Sequence, residues 1–417
     1  MGIRPTSEKF PLLVILNPNA GKKNSLDVFT KTIQPALQQA DTPYQFIETA
    51  SKGFAQSYFK DNVRQILIDL VQSLAANPAP GATQPSGVGN EVEATAATTG
   101  PPEVVLRIMV IGGDGTVHEV INGVLQGIHG SSDSFVNDNF RPMVELSIIP
   151  LGTGNAIATS QGVTTPQAAL DRFLGGKSVP LRVVQVSQRD TTPHTTSNTN
   201  NSDNTQCTWK PLMYTAVVNS FGLHCATVFD AEGLRSLGNV RFKASALKNI
   251  AFLKQYQARV EIFGSVQKYD RLSHQLVTDT STTINATTSP QQEQQSSVTL
   301  TGPFTYLMLS KQSSLEPGFV PTPFANTSDD WLDILAVQNA GRGQILDILG
   351  DALKEGMHVK QHEKVEYYKA KVVEIETPTQ GRLCVDGEFL DVAAGPEGRV
   401  RFEVVSDPNI QLFYLSV

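Results

Sequence analysis

The stretch that most constrains how this chain folds is Ile111-Gly112-Gly113-Asp114-Gly115-Thr116 with its flanks. Ahead of it runs Val104-Val105-Leu106-Arg107-Ile108-Met109-Val110, a β-branched apolar segment with the length of a buried parallel strand. Behind it Val117, Val120, Ile121, Val124 and Leu125 recur at spacings of three and four, one face of a helix. Strand, glycine turn and helix in that order make a phosphate cradle, because glycine permits close backbone approach and the amides at a helix start attract anions. Asp114 puts one carboxylate where a phosphate tail would end. That group repels phosphate unless it faces Mg²⁺ or takes the proton of an attacking hydroxyl. Taken alone, the motif also fits a plain strand-to-helix turn.

At 417 residues the chain exceeds one typical core, which predicts two domains. A net charge of -7 offers nucleic acid no electrostatic attraction. Three widely spaced cysteines, Cys207, Cys225 and Cys384, form neither a disulfide framework nor a metal knuckle and fit a reducing compartment. The first ten residues lack the apolar core of a signal peptide, and no apolar run reaches the roughly 18–20 residues of a membrane span. The expectation is a cytoplasmic chain. Met1-Gly2-Ile3-Arg4-Pro5-Thr6 matches the myristoylation template at Gly2.

Along the chain, 12–16 reads as a buried strand that ends in Asn17-Pro18-Asn19-Ala20-Gly21-Lys22-Lys23. A helix over 26–39, a strand over 44–48, the loop Thr49-Ala50-Ser51-Lys52-Gly53 and a helix to residue 74 follow. Residues 75–102, rich in Ala, Pro, Gly and Thr, read as a disordered insertion. The next strand, 146–150, closes in a second glycine turn, Leu151-Gly152-Thr153-Gly154-Asn155, before a short helix from Ala156. Two such turns at strand ends point to one ligand, since open α/β sheets bind at that edge. Thr165-Pro166 reads as an N-cap with proline at the first helical position. From about residue 180 strand patterns dominate: 181–187, 212–219, 259–263, 304–309, 332–337, 365–376 and 399–405. Helices over 244–257 and 343–355 interrupt them, as do polar insertions over 188–206 and 278–297. The fold class expected is α/β plus β: an α/β domain over 1–180 and a mostly antiparallel β-sandwich over 181–417.

Asn17-Pro18 to Lys23, Gly112-Gly113-Asp114-Gly115 and Leu151 to Asn155 together resemble the diacylglycerol kinase catalytic domain, the family of sphingosine, ceramide and bacterial lipid kinases. Phe221-Gly222, Asp230, Arg235, Leu237-Gly238 and Arg241-Phe242 resemble the sphingosine kinase segment that follows, and Cys384-Val385-Asp386-Gly387-Glu388 its late Asp-Gly-Glu element. The resemblance implies a nucleotide domain like those of NAD kinase and phosphofructokinase, a lipid-binding β domain, and ATP with Mg²⁺ as cofactors. By the same likeness Asp114 is the general base toward a lipid hydroxyl, on a chain that meets a membrane surface peripherally. Asn17, Pro18, Asn19, Thr49, Ala50, Ser51, Lys52 and Gly53 match nucleotide-contacting loops, with Gly112, Gly113, Gly115, Glu119, Gly152, Thr153 and Gly154. Arg235 and Arg241 match arginines on the β- and γ-phosphates, while Asp386, Gly387 and Glu388 match an element near the nucleotide and its metal. The aspartate that meets the substrate amine in sphingosine kinases falls on Ala226. Asp230 lies one helical turn further, and the lipid class stays open between a sphingoid base, ceramide and diacylglycerol.

Each residue also has a plainer reading. The two arginines alone are solvated helix charges, Asp386-Gly387 alone a hairpin turn, His118 a structural hydrogen-bonding residue and Cys384 a buried strand residue. Competing functions are an NAD kinase, which shares the Gly-Gly-Asp-Gly-Thr loop, and a non-catalytic nucleotide- or lipid-binding relative.

Overall fold

The structure, a computed structural model, describes residues 12–76, 103–130, 141–190, 208–234, 238, 240–278, 296–405 and 411–416. Gly2, Cys207, Arg235, the segment 77–102 and the polar segments 191–206 and 279–295 lie outside them. Five parallel strands organise the first half in the order Tyr44–Glu48, Leu12–Leu16, Glu103–Gly112, Arg141–Pro150 and Gln411–Ser416, with Lys177–Pro180 antiparallel at the edge. The strand Leu12–Leu16 is buried throughout, as befits one covered on both faces. Asp114–His129 and Phe54–Ala76 pack against each other as parallel neighbours, Gly123 meeting Gln56 and Phe59 and Gly127 meeting Lys60 and Val63. The loops 17–23, 49–53, 113 and 151–155 all leave carboxyl ends of adjacent parallel strands, the edge where such sheets bind ligands.

The second half is a sandwich of two antiparallel sheets. Six strands, Ser296–Thr301, Arg259–Phe263, Val372–Glu376, Val400–Val405, Val183–Asp190 and Thr208–Thr215, face eight others. Those eight run Gln275–Thr278, Gln267–Asp270, Val365–Ala370, Leu332–Gln338, Phe304–Ser310, Val218–Gly222, Gly381–Val385 and Glu388–Val392. Leu307, Leu309, Ile334 and Ala336 point into the sandwich with Val186, Ile262, Val373 and Phe402. The alternate residues Tyr306, Met308, Leu335 and Val337 join the core of the α/β half and the helix Arg342–Ala352. Both faces of this sheet are therefore covered, which is why Phe304–Ser310 is buried at every position.

Several boundaries differ from the sequence reading. The span 365–376, read as one strand, is two that belong to different sheets, with the chain crossing the sandwich at Lys371. Gln188 to Asp190 continue a strand, and Thr278, Ser296 and Ser297 lie in strands, so both polar insertions are shorter than read. The helix over 26–39 contains a π turn, Phe29–Ile33, just before Pro35, whose missing N–H cannot complete an α ladder. Residues 75 and 76 still belong to a helix rather than to an insertion. The C-terminal strand returns to the first sheet, so 181–417 is not wholly a β unit.

Gly123 and Gly127 let the two long helices touch backbone to backbone. A Cβ on Gly123 would stand 2.5 Å from Gln56 O and 2.9 Å from Phe59 Cβ; one on Gly127 would stand 2.5 Å from Val63 Cγ1. Gly123→Ala gains about 1 kcal/mol of helix propensity but must push the helices apart. A net loss of about 1–3 kcal/mol is expected in urea unfolding. An unchanged or higher midpoint would contradict this packing.

Candidate active site

Three glycine loops meet with no room for side chains between them. A Cβ on Gly152 would lie 2.2 Å from Gly113 Cα, and one on Gly21, at φ +47°, 2.2 Å from Leu151 O. Hydrogen bonds follow the contacts. Gly112 O accepts from the amides of Leu151 (2.9 Å) and Gly152 (3.0 Å), and Asp114 N donates to Gly154 O at 3.0 Å. Asn17 N donates to Ile111 O at 3.0 Å, and Asn17 Nδ2 reaches Thr116 Oγ1 at 3.0 Å. Asn155 ties its own turn through Gly152 O and Gly152 N. Asn17, Gly112, Gly113, Gly152, Thr153 and Gly154 thus form one continuous backbone surface, with Pro18 and Asn19 at its rim.

Asp114 opens the central helix at the floor of this surface. Its Oδ2 accepts from Ala156 N at 2.8 Å. Withdrawal from water raises its pKa to about 6; the like charge of Asp386 adds to the rise, and the amides of Ala156 and Ile157 oppose it. Gly115 is exposed, and nothing lies within 4 Å of where its Cβ would be, so the helix start is open on that side.

Asp386 comes from the other half of the chain. Asp386 and Gly387 take φ +48° and +88° in the tight turn between Gly381–Val385 and Glu388–Val392, so the hairpin reading holds as well. Oδ1 accepts from Thr215 Oγ1 (2.9 Å), Val217 N (3.0 Å) and Val218 N (2.7 Å), while Oδ2 takes Ala216 N (2.9 Å) and meets His118 Nδ1 at 3.3 Å. Burial disfavours the His118 imidazolium, but the hydrogen bond and charge of Asp386, with Glu388 and Glu119, outweigh it and raise the pKa. His118 is a structural hydrogen-bonding residue, and what it joins is the two halves. Asn122 beside it adds a second clasp, giving Nδ2 to Tyr214 O and accepting from Tyr214 N, each at 2.8 Å.

The remaining residues divide. Glu119 spends its carboxylate on the amides of Gly53 (2.7 Å) and Ala55 (3.2 Å), where it organises the 49–53 loop. Thr49 is buried and bonds Leu16 O, while Ala50, Ser51 and Lys52 are exposed. Lys52 reaches Glu388 at 2.8 Å across the mouth of the cleft. Arg241 lies over the Phe242 ring and 3.9 Å from Glu232; among the described residues nothing ties it to the glycine loops. Its Nε is buried without a partner. Asp230 Oδ2 is held by Lys248 (2.9 Å) and Asn249 (3.0 Å). Cys384 is buried, its thiol pushed up to about 12 by desolvation. Thr215 and Asn122 were not singled out in the sequence. Asn122 acts on the backbone of Tyr214, and Thr215 acts through its hydroxyl on Asp386, partners remote in the chain that leave no local pattern.

Removing the Asp386 carboxylate leaves the amides of Ala216, Val217 and Val218 and the Thr215 hydroxyl without their acceptor. Asp386→Ala is expected to cost about 3 kcal/mol or more in urea unfolding, and a loss within ~0.5 kcal/mol, the range of ordinary surface changes, would show the hub to be dispensable.

The diacylglycerol kinase catalytic domain family matches residues 11–186, and the YegS C-terminal NAD kinase beta sandwich-like domain matches residues 304–404. The chain is 21% identical over 401 residues to Sphingosine kinase 1 of Arabidopsis thaliana, covering 91% of this chain and 68% of that protein. With Sphingosine kinase 1 of Mus musculus it shares 22% over 255 residues, 60% of this chain and 51% of the mouse protein. The crystal structure of a diacylglycerol kinase from Bacillus anthracis str. Sterne has the same fold, with a TM-score of 0.52, 14% identity, and coverage of 98% of this chain and 97% of that one. These relatives do not favour an NAD kinase. The chain belongs to the diacylglycerol kinase catalytic-domain family of lipid kinases, with sphingosine kinases among its relatives.

Proposed function

We propose that this protein transfers the γ-phosphoryl group of ATP to a primary hydroxyl of a sphingolipid-type or diacylglycerol lipid, with Asp114 as general base. The observation that carries the reading is the placement of one carboxylate with a raised pKa at the junction of three phosphate-sized glycine turns. The nucleotide lies along Asn17, Pro18 and Asn19, the 49–53 loop, Gly112 to Gly115 and Gly152 to Gly154, with the N-terminus of Asp114–His129 toward its phosphates. Arg235 and Arg241 supply cationic charge to the transferring group. That role suits a guanidinium fork.

Burial raises the Asp114 pKa and the like charge of Asp386 adds to the rise, so a cation brought with the nucleotide is welcome there. Asp386 has its oxygens occupied, which leaves Glu388 as the carboxylate of that turn that would hold Mg²⁺ together with the phosphates, and leaves the free oxygen of Asp114 for the lipid hydroxyl. When bound, the ion neutralises charge on the phosphates. Among the described residues no group of three His, Cys, Asp or Glu side chains is placed to hold a metal ion.

The acyl chains run beneath the helix Arg342–Ala352, where Leu335, Ile345, Ile348 and Leu349 line a void of about 10 Å³. That void is the size of one water, so the helix must lift to admit a chain. Among the described residues no helix is long and apolar enough to cross a membrane. As part of the same proposal, the enzyme is cytoplasmic and meets the bilayer surface peripherally to take its lipid.

Asp114→Asn keeps the acceptor for Ala156 N and removes the base. With radiolabelled ATP and a panel of sphingosine, ceramide and diacylglycerol, turnover is expected to fall about 10²–10⁴-fold. Nucleotide binding should persist in calorimetry. The unfolding temperature at pH 8 should not drop, because a carboxyl whose folded pKa is raised above its unfolded value weakens the fold when ionised. Full activity in this variant would remove Asp114 from its role. For the wild type, kcat/KM is expected to decline as pH falls through about 6, where Asp114 takes up a proton. A profile flat to pH 5 would exclude it as the base.

A further inference from the structure

The eight-stranded sheet turns one face toward the glycine loops, and that face carries a short run of polar groups in apolar surroundings. Val218, whose amide holds Asp386, begins it, and Ser220 and Gly222 follow on the same face. Ser220 Oγ lies 2.7 Å from Nδ1 of His224, in the first turn of the helix Leu223–Glu232. Tyr306 stands opposite Gly222 in the adjacent strand, and its ring meets that of His224 edge to face at a centroid distance of 5.8 Å. At about 3.3 Å of rise per residue, Ser220 is roughly 7 Å along the strand from Val218. Tyr306 then lines the void under the helix Arg342–Ala352 together with His358. The run leads from Asp386, whose charge is felt at Asp114, to the apolar path.

Three features of this wall are unexplained by folding. The Tyr306 hydroxyl is buried and has no hydrogen-bond partner. His358 gives Nε2–H to Pro321 O at 3.0 Å, which leaves Nδ1 as a bare acceptor, buried and also without a partner. His224 is pushed down to about 4 by burial, and among the described residues no carboxylate counters it. A cation placed here meets no counter-charge from them. Asp386 cannot turn to it, because both its oxygens are bonded, and Asp230 Oδ2 is held by Lys248 and Asn249.

We propose that Ser220, His224 and Tyr306 receive the polar part of the acceptor lipid next to its phosphorylated hydroxyl, and that they select an acylated, uncharged lipid over a free long-chain amine. The proposal rests on the lipid kinase reading above. An acyl carbonyl accepts from the Tyr306 hydroxyl, and His224, steadied by Ser220, makes the second bond. An ammonium group entering the same space gives up its water for no charge in return. The carbonyl can belong to an amide or an ester, and the chemistry at Tyr306 is the same for both.

The test presents the whole protein and ATP with ceramide, diacylglycerol or sphingosine in the same mixed micelles. A kcat/KM at least ~10-fold higher for an acylated lipid than for sphingosine is expected, and the better of the two acylated lipids identifies an amide or an ester. Equal or preferred use of sphingosine overturns this proposal and leaves the lipid kinase standing. Transfer to none of the three overturns the kinase reading and this proposal with it. Tyr306→Phe supplies a readout besides activity. It is expected to raise the unfolding temperature, by deleting an orphaned polar group, while lowering kcat/KM for the acylated lipid more than for sphingosine. A fall in unfolding temperature with unchanged lipid preference shows a merely structural hydroxyl and overturns the assignment. His224→Asp should shift preference toward the amine, and no shift in a folded variant counts against the wall as the selecting element.

Discussion

Everything at the cleft depends on the approach of Gly113 to Gly152, a contact so close that a Cβ on Gly152 would sit 2.2 Å from the Gly113 Cα. Two neighbouring parallel strands set the distance, and two glycines are the only residues that allow their loops to close it. Closure lets Asp114 N bond Gly154 O and Asp114 Oδ2 receive Ala156 N. The acid is thereby aimed by backbone on both sides. Its raised pKa follows from the same closure, because the loops that position it also take it out of water.

The second half of the chain completes the site through a few buried polar bonds. Asp386 and Asn122 join the central helix to the strands Thr208–Thr215 and Val218–Gly222, using backbone donors and acceptors that folding must satisfy anyway. Lys52 and Glu388 also bridge the halves, but both are well exposed, and such pairs contribute little. The floor of the cleft is thus held more firmly than its mouth.

The parallel core was legible because its strands are unbroken apolar runs ending in glycine turns, and Thr165-Pro166 was legible because cap chemistry is local: Thr165 Oγ1 accepts from Ala168 N at 3.2 Å. What the sequence hid was long-range. Nothing local tells that 365–376 crosses between sheets at Lys371, or that 411–416 returns to pair with Arg141–Pro150. Among site residues, the Gly-Gly-Asp-Gly loop announced itself through strand and helix periodicity. Glu119 did not reveal that its carboxylate serves the Gly53 and Ala55 amides, since the partner is backbone 64 to 66 residues away. The polar wall of Ser220, His224 and Tyr306 was invisible for a related reason: three residues from two strands and a helix become one surface only after the sheet has formed.

The central claim is that Asp114 stands between the terminal phosphoryl group and the lipid hydroxyl. A crystal structure of the protein with a non-hydrolysable ATP analogue, Mg²⁺ and an acceptor lipid tests it most directly. The account expects the lipid hydroxyl oxygen about 2.6–3.2 Å from an Asp114 carboxylate oxygen and in line with the γ-phosphorus. A hydroxyl bound elsewhere, with Asp114 facing only metal or protein, would contradict it.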